Sequence, residues 1–191
     1  AGDLVKTVTT DKDGKAVLKN LPLGSYKIVE TFAPVGFVLN SEAQTITFSY
    51  KDQETPVIEQ TAIFENERQK VEVSVVKQDA ENETVVAGAE FGLYAKEDIL
   101  AHGEVVVKAD TLLGKAVSNE DGKAVFELDL PFGSYSIKEL AAPAGYVSSF
   151  ETLEVTAKYQ GQDVKVVKLE SVFKNQPTKV TFKKSDITTG V

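Results

Sequence analysis

The chain has 191 residues and a formal net charge of −8, with no Cys, Met or Trp and one His. The missing cysteines exclude disulfides and thiolate metal sites, and the lone His leaves a histidine-based active site without partners. No basic stripe points to nucleic acid, and no apolar run reaches the length of a membrane span.

The length allows one to two domains with a sizeable core. Ala1 opens without a signal peptide, and the chain reads as an internal piece of a longer protein. A secreted chain without disulfides needs another means of resisting unfolding.

Short alternating runs of Val, Thr, Ile, Tyr and Phe, separated by turn signals, predict an all-β sandwich without long helices. From the N-terminus, Asp11-Lys12-Asp13-Gly14 has the beginning of a calcium loop but lacks its bidentate Glu and most other ligands, so it reads as a hairpin turn and no metal is expected. A turn at Pro22–Gly24 leads into Gly24–Phe37, in which Tyr26, Ile28 and Glu30 share one strand face. Thr61–Asn66 reads as a strand and Glu67–Gln69 as a short joint. Val71–Asp79 is a strand that presents Val73, Val75 and Lys77 on one face, and Gly88–Tyr94 is a second. Asp98–His102 reads as a helical turn, with His102 a solvated loop residue. Turns at Asp121-Gly122 and Pro131–Gly133 precede Gly133–Tyr146, whose Tyr135, Ile137 and Glu139 share a face. Ser171–Asn175 closes with Phe173 and Asn175 on one side, a joint follows at Gln176–Thr178, and Val180–Asp186 reads as another strand.

An internal repeat organises these elements. Gly24-Ser25-Tyr26 through Ala33-Pro34-Val35-Gly36-Phe37 recurs as Gly133-Ser134-Tyr135 through Ala142-Pro143-Ala144-Gly145-Tyr146. A spacing of 109 residues separates Glu30 from Glu139 and also Asn66 from Asn175. Val180–Asp186 echoes the strand of Val71–Asp79, with Lys184 matching Lys77 and its neighbour Lys183 out of phase. The resulting map is a partial repeat lacking its first strands over 1–67, a complete repeat over 68–177, and the opening strand of a third over 178–191. Joints this short favour a stiff end-to-end array.

Three polar groups, Lys77, Glu139 and Asn175, therefore share faces with core residues. Alone, each has an ordinary reading: an edge-strand Lys that blocks aggregation, a solvated Glu, a strand-ending Asn. Together they make chemical sense. Burial lowers a Lys pKa and raises a Glu pKa. A neutral amine is a nucleophile, and a carboxyl group beside the carboxamide can polarise its carbonyl and move protons. Attack of the Lys77 nitrogen on the Asn175 side-chain carbonyl expels ammonia and leaves an amide, an intramolecular isopeptide bond.

The motif Gly-Ser-Tyr-x-x-x-Glu-x-x-Ala-Pro-x-Gly-[Tyr/Phe], the opening Lys-x-Asp followed by Gly88-Ala89-Glu90-Phe91, and the closing Phe-x-Asn resemble the Cna-B domains of the collagen adhesin and of SpaA-type Gram-positive pilins. The resemblance covers essentially the whole chain. It implies tandem Ig-like, prealbumin-like β-sandwich domains with a self-formed Lys–Asn bond between first and last strands. By position it makes Lys77 the nucleophile, Glu139 the acid/base and Asn175 the acceptor, with Glu30 and Asn66 for the partial repeat and Lys184 for the third. It also implies a stalk segment on the cell wall of a Gram-positive bacterium, without cofactor or enzymatic turnover, whose partners are neighbouring domains of the same surface protein or other copies of the chain. The chain departs from the pattern in that the first repeat has no Lys-bearing strand. No Leu-Pro-x-Thr-Gly sorting signal or Tyr-Pro-Lys-Asn pilin motif is present, so polymerised pilin and single-chain adhesin both stay open. A competing reading makes the repeats themselves an adhesive module, with Asp98–Lys108 as the contacting loop, although no contiguous aromatic patch supports it. An accessory domain of a glycoside-degrading enzyme lacks a catalytic carboxylate pair.

Overall fold

A computed structural model describes residues 2–55, 57–101 and 104–184. Two compact units divide the chain: one holds the residues up to Ala33 together with Leu39–Asn66, the other Pro34–Val38 together with the residues from Glu67 onward.

Among the described residues of the first unit, one antiparallel pair forms, β1 (Gly24–Ile28) with β2 (Gln44–Phe48). Its inward residues are only half-buried, and Tyr26 packs edge-on against Phe48 with ring centroids 6.0 Å apart. Among the described residues of this unit only Ala33 is fully buried. The Asp11–Gly14 turn forms as expected, with Asp11 Oδ1 accepting from the Asp13 and Lys15 amides. Thr61–Asn66, expected as a strand, is not one. Its burial still alternates, with Ala62, Phe64 and Asn66 on the protected side. Its Ile63 backbone is held by the Gln44 side chain at the start of β2 rather than by a backbone ladder, and alternation alone cannot hold a strand without that pairing.

The second unit is a β-sandwich. Its strands are β3 (Lys70–Asp79), β4 (Glu90–Ala95), β5 (Ile99–Ala101), β6 (Glu104–Val107), β7 (Leu112–Val117), β8 (Lys123–Phe126), β9 (Gly133–Ala141), β10 (Thr152–Ala157) and β11 (Val166–Asn175). One sheet has the order β10-β9-β4-β7 and the other β11-β3-β8. Between them Val73 and Val75 of β3, Phe91 and Leu93 of β4, Tyr135 and Ile137 of β9 and Phe173 of β11 are completely buried. Phe91 and Phe173 meet edge to face across the two sheets, 5.3 Å between centroids. This is the all-β sandwich that the alternating pattern predicts. Sequence expectation and structure differ over Asp98–His102. Ile99–Ala101 forms β5, which pairs with β6 as a separate hairpin, so there is no helical turn. The run Val105–Val107 supplies a β-forming partner that a purely local reading of 98–102 ignores. His102 lies outside the described residues.

The first and last strands of this unit lie side by side. β11 pairs with β3 in parallel, from Val166 opposite Lys70 to Asn175 opposite Asp79. β8 pairs antiparallel on the other side of β3. Beyond β11, residues 178–184 form no strand, and Val180 and Phe182 are 78% and 91% exposed. Residues 180–184 of the strand expected over 180–186 pair with no described strand, and residues 185 and 186 lie outside the described ones.

Candidate functional site

Lys77 is placed by the central strand of the three-stranded sheet. Val73, Val75 and Lys77 all point inward, and all three are 0% exposed. The Lys77 amide donates to Gly122 O at 2.7 Å, which pins the strand to the turn before β8. The ammonium nitrogen donates to Gln78 O at 2.9 Å and lies 5.5 Å from the centre of the Tyr146 ring. Burial lowers the Lys77 pKa below its ordinary 10.5, while the charges of Glu139 and then Asp79 oppose that shift.

Asn175 ends β11 and is 2% exposed. In the parallel register Phe173 stands opposite Lys77 and Asn175 opposite Asp79. Lys77 and Asn175 therefore share the inward face of adjacent strands, two positions apart, a diagonal that a four-carbon lysine stem spans.

Glu139 comes from the other sheet. It follows Tyr135 and Ile137 on the inward face of β9 and is half-buried. The pairing of β9 with β4 slips next to it: Phe91 faces Glu139 while Glu90 faces Ala141, which leaves Leu140 as the extra residue of a bulge. Bulges commonly interrupt a ladder where a side chain must be aimed. The Asn175 Nδ2 group donates to both Glu139 oxygens, at 2.9 and 2.8 Å, and to Val147 O at 2.8 Å. Glu139 Oε2 also accepts from the Ser149 amide at 2.9 Å. Asn175 Oδ1 is buried without a hydrogen-bond partner among the described residues. A buried carbonyl oxygen with no donor is costly, and it belongs to the carbonyl group that the sequence marks for attack.

The structure thus brings Lys77, Glu139 and Asn175 into one cluster: buried Asn175 bonds to half-buried Glu139, and buried Lys77 stands on the adjacent strand within electrostatic reach of that carboxylate. It also brings Glu30 and Asn66 together in the first unit. Glu30 Oε2 accepts from Asn66 Nδ2 at 2.6 Å and from the Asn40 amide at 2.8 Å. Asn40 and Ser149 are 109 residues apart, so the repeat extends to the backbone donor of the carboxylate. Lys184 is exposed, lies outside any strand, and takes no part in the Lys77 cluster; its neighbour Lys183 is exposed too.

Sequence reasoning missed two residues of the cluster. Asp79, 5% exposed, accepts from the Tyr146 hydroxyl at 3.0 Å. The signal for Asp79 was its place in Lys-x-Asp, on the inward phase of β3. Tyr146 was visible only as the aromatic end of the repeated motif, where a core or corner role was expected. No group of three or more His, Cys, Asp or Glu among the described residues has the geometry to hold a metal.

A family model, the SpaA prealbumin-like fold domain, matches residues 1–62 and 71–171. No curated protein sequence matches. Among solved structures, the chain is similar to the Bacillus anthracis TIE protein at 30% identity and a TM-score of 0.58, covering 88% of this chain and 28% of that one. It is also similar to BcpA, the major pilin subunit of Bacillus cereus, at 24% identity and a TM-score of 0.39, covering 58% of this chain and 31% of that one. The full-length major pilin SpaD of Corynebacterium diphtheriae matches at 21% identity and a TM-score of 0.45, covering 63% of this chain and 33% of that one. The chain spans a third or less of the length of each.

Proposed function

This chain belongs to the SpaA prealbumin-like fold domain family, and from that membership we propose that it is a stalk segment of a Gram-positive surface protein, a pilin or an adhesin, locked by an isopeptide bond between Lys77 and Asn175. The observation that carries the reading is the cluster itself: a lysine 0% exposed, an asparagine 2% exposed, and a glutamate hydrogen-bonded to that asparagine.

The reaction balances within the chain. A proton leaves the Lys77 ammonium with Glu139 as acceptor. The neutral amine attacks the Asn175 side-chain carbon, and Glu139 returns protons to the departing nitrogen. One C–N bond forms, one breaks, and one ammonia leaves. The amide that remains carries no charge, so the desolvation penalty on the lysine disappears with the reaction. Each chain reacts once, so the protein is a structural element rather than an enzyme.

The topology explains what such a bond does. Force entering at the C-terminal end of β11 passes from Asn175 into Lys77 and back along β3 toward Lys70. The rest of the sandwich is bypassed. In this reading residues 68–177 form the complete domain, 1–67 a partial one with Glu30 and Asn66 already paired, and 178–191 the opening of the next. The bond takes the place of the disulfides that the chain lacks.

Intact-mass spectrometry of the full chain tests the proposal. A bonded chain weighs about 17 Da less than its sequence predicts, and proteolysis yields one branched peptide joining Lys77 to Asn175. An unshifted mass in folded protein overturns it.

A further inference from the structure

Ala142–Ser149 crosses the end of the sandwich and touches every member of the cluster. The Tyr146 ring lies beside the Lys77 amine at 5.5 Å. Val147 O takes a hydrogen bond from Asn175, and the Ser149 amide donates to Glu139. The Tyr146 hydroxyl reaches back to β3 and donates to Asp79 Oδ2 at 3.0 Å. Asp79 is a rigid post. Its Oδ1 accepts from the Glu81 amide at 2.7 Å and the Asn82 amide at 3.3 Å, and its own amide donates to Thr84 O at 2.9 Å.

The earlier copy of this loop separates the hydroxyl from the fold. Phe37 stands where Tyr146 stands, 109 residues before it. The backbone bonds are nonetheless the same. Phe37 bridges to Arg68 as Tyr146 bridges to Pro177. Val38 N donates to Glu67 O at 2.8 Å as Val147 N donates to Gln176 O at 2.9 Å. Gln69 N donates to Gly36 O and Thr178 N to Gly145 O, both at 2.8 Å. The loop folds without a hydroxyl, so the hydroxyl of Tyr146 has another task.

Building on the isopeptide reading, we propose that the Tyr146–Asp79 hydrogen bond is a latch and Tyr146 a positioning residue for bond formation. With its hydroxyl tied to Asp79, the ring cannot swing away from the amine. The ring keeps water off the nitrogen and holds it near the Asn175 carbonyl, while the same loop holds Asn175 and Glu139. Fixing the approach of two reacting groups is worth orders of magnitude in rate, and small displacements forfeit much of it. Tyr146→Phe keeps the ring and cuts the latch.

The test follows the mass deficit over time as the full chain is made by cell-free synthesis. Wild type should acquire the deficit, and Tyr146→Phe should acquire it roughly tenfold more slowly. Asp79→Ala should be slowed by at least as much, and the double variant no more than Asp79→Ala alone, because one shared hydrogen bond is removed only once. Val71→Ala is the stability control. It removes core volume about 20 Å along β3 from Lys77 and should lower the unfolding temperature without slowing the reaction. Tyr146→Phe reacting at the wild-type rate overturns the latch alone, as does equal slowing in Val71→Ala. A wild-type chain that never loses mass overturns the bond and the latch together.

Discussion

Glu139→Gln is the substitution that separates the chemistry from the fold. The side chain keeps its length and an oxygen that can accept from the Ser149 amide, a bond of 2.9 Å in the native chain. It loses the capacity to take and return a proton, so the amine and carboxamide stay apart although both remain buried. Lys77 and Asn175 enclose a loop of about 100 residues, and cross-linking a loop of that size removes chain entropy worth about 4–5 kcal/mol from the unfolded state. The unbonded variant also keeps a lysine at 0% exposure, an added penalty that the amide product does not carry. For a domain of this size the loss corresponds to a fall in unfolding temperature on the order of 15–25 °C. Scanning calorimetry and intact mass on the same samples read both quantities. The variant should fold, lack the ammonia deficit, and melt well below wild type. A variant that still shows the deficit removes Glu139 from the mechanism. A variant without the deficit that melts within a few degrees of bonded wild type refutes the claim that the bond carries the stability.

Two further outcomes follow from the geometry. In Asn175→Ala the bond cannot form and Lys77 stays an amine whose folded pKa lies below its ordinary 10.5. Between the depressed folded value and 10.5 the unfolded chain binds the extra proton, so stability should rise as pH climbs through that window and level off above it. Urea unfolding across the window should show this slope, and adding Lys77→Met should abolish it; a slope that persists assigns the effect to another group. Gly122 has φ +72°, and a Cβ there would meet Lys77 O and the Val85 side chain at 2.8 Å, whereas at Gly14, with φ +71°, nothing lies within 4 Å. Gly122→Ala should therefore cost its unit about 2–3 kcal/mol and Gly14→Ala only about 1 kcal/mol. Equal losses in denaturant titrations would rule out the steric assignment.

The sequence alone determined the faces. A strand has period two, so the phase that carries Val73 and Val75 inward necessarily carries Lys77 with them, and the phase of Tyr135 and Ile137 carries Glu139. The repeat was equally legible, down to a spacing of 109 residues that the Glu30–Asn66 and Glu139–Asn175 hydrogen bonds both respect. Alternation says nothing, however, about which strand lies alongside. That β3 and β11 pair in parallel, so that Lys77 and Asn175 stand on a diagonal of adjacent strands, is settled by contacts between residues about a hundred positions apart. The same limit accounts for the misread segments. Thr61–Asn66 alternates as a strand should but forms no backbone ladder with the described residues, and Ile99–Ala101 became a strand because Glu104–Val107 paired with it. Asp79 and Tyr146 were each visible as residues, yet their hydrogen bond joins β3 to a loop 67 residues later. Side-chain direction is a local consequence of backbone geometry. The identity of the partner is a property of the folded whole, because only packing the two sheets decides which buried polar groups can satisfy one another.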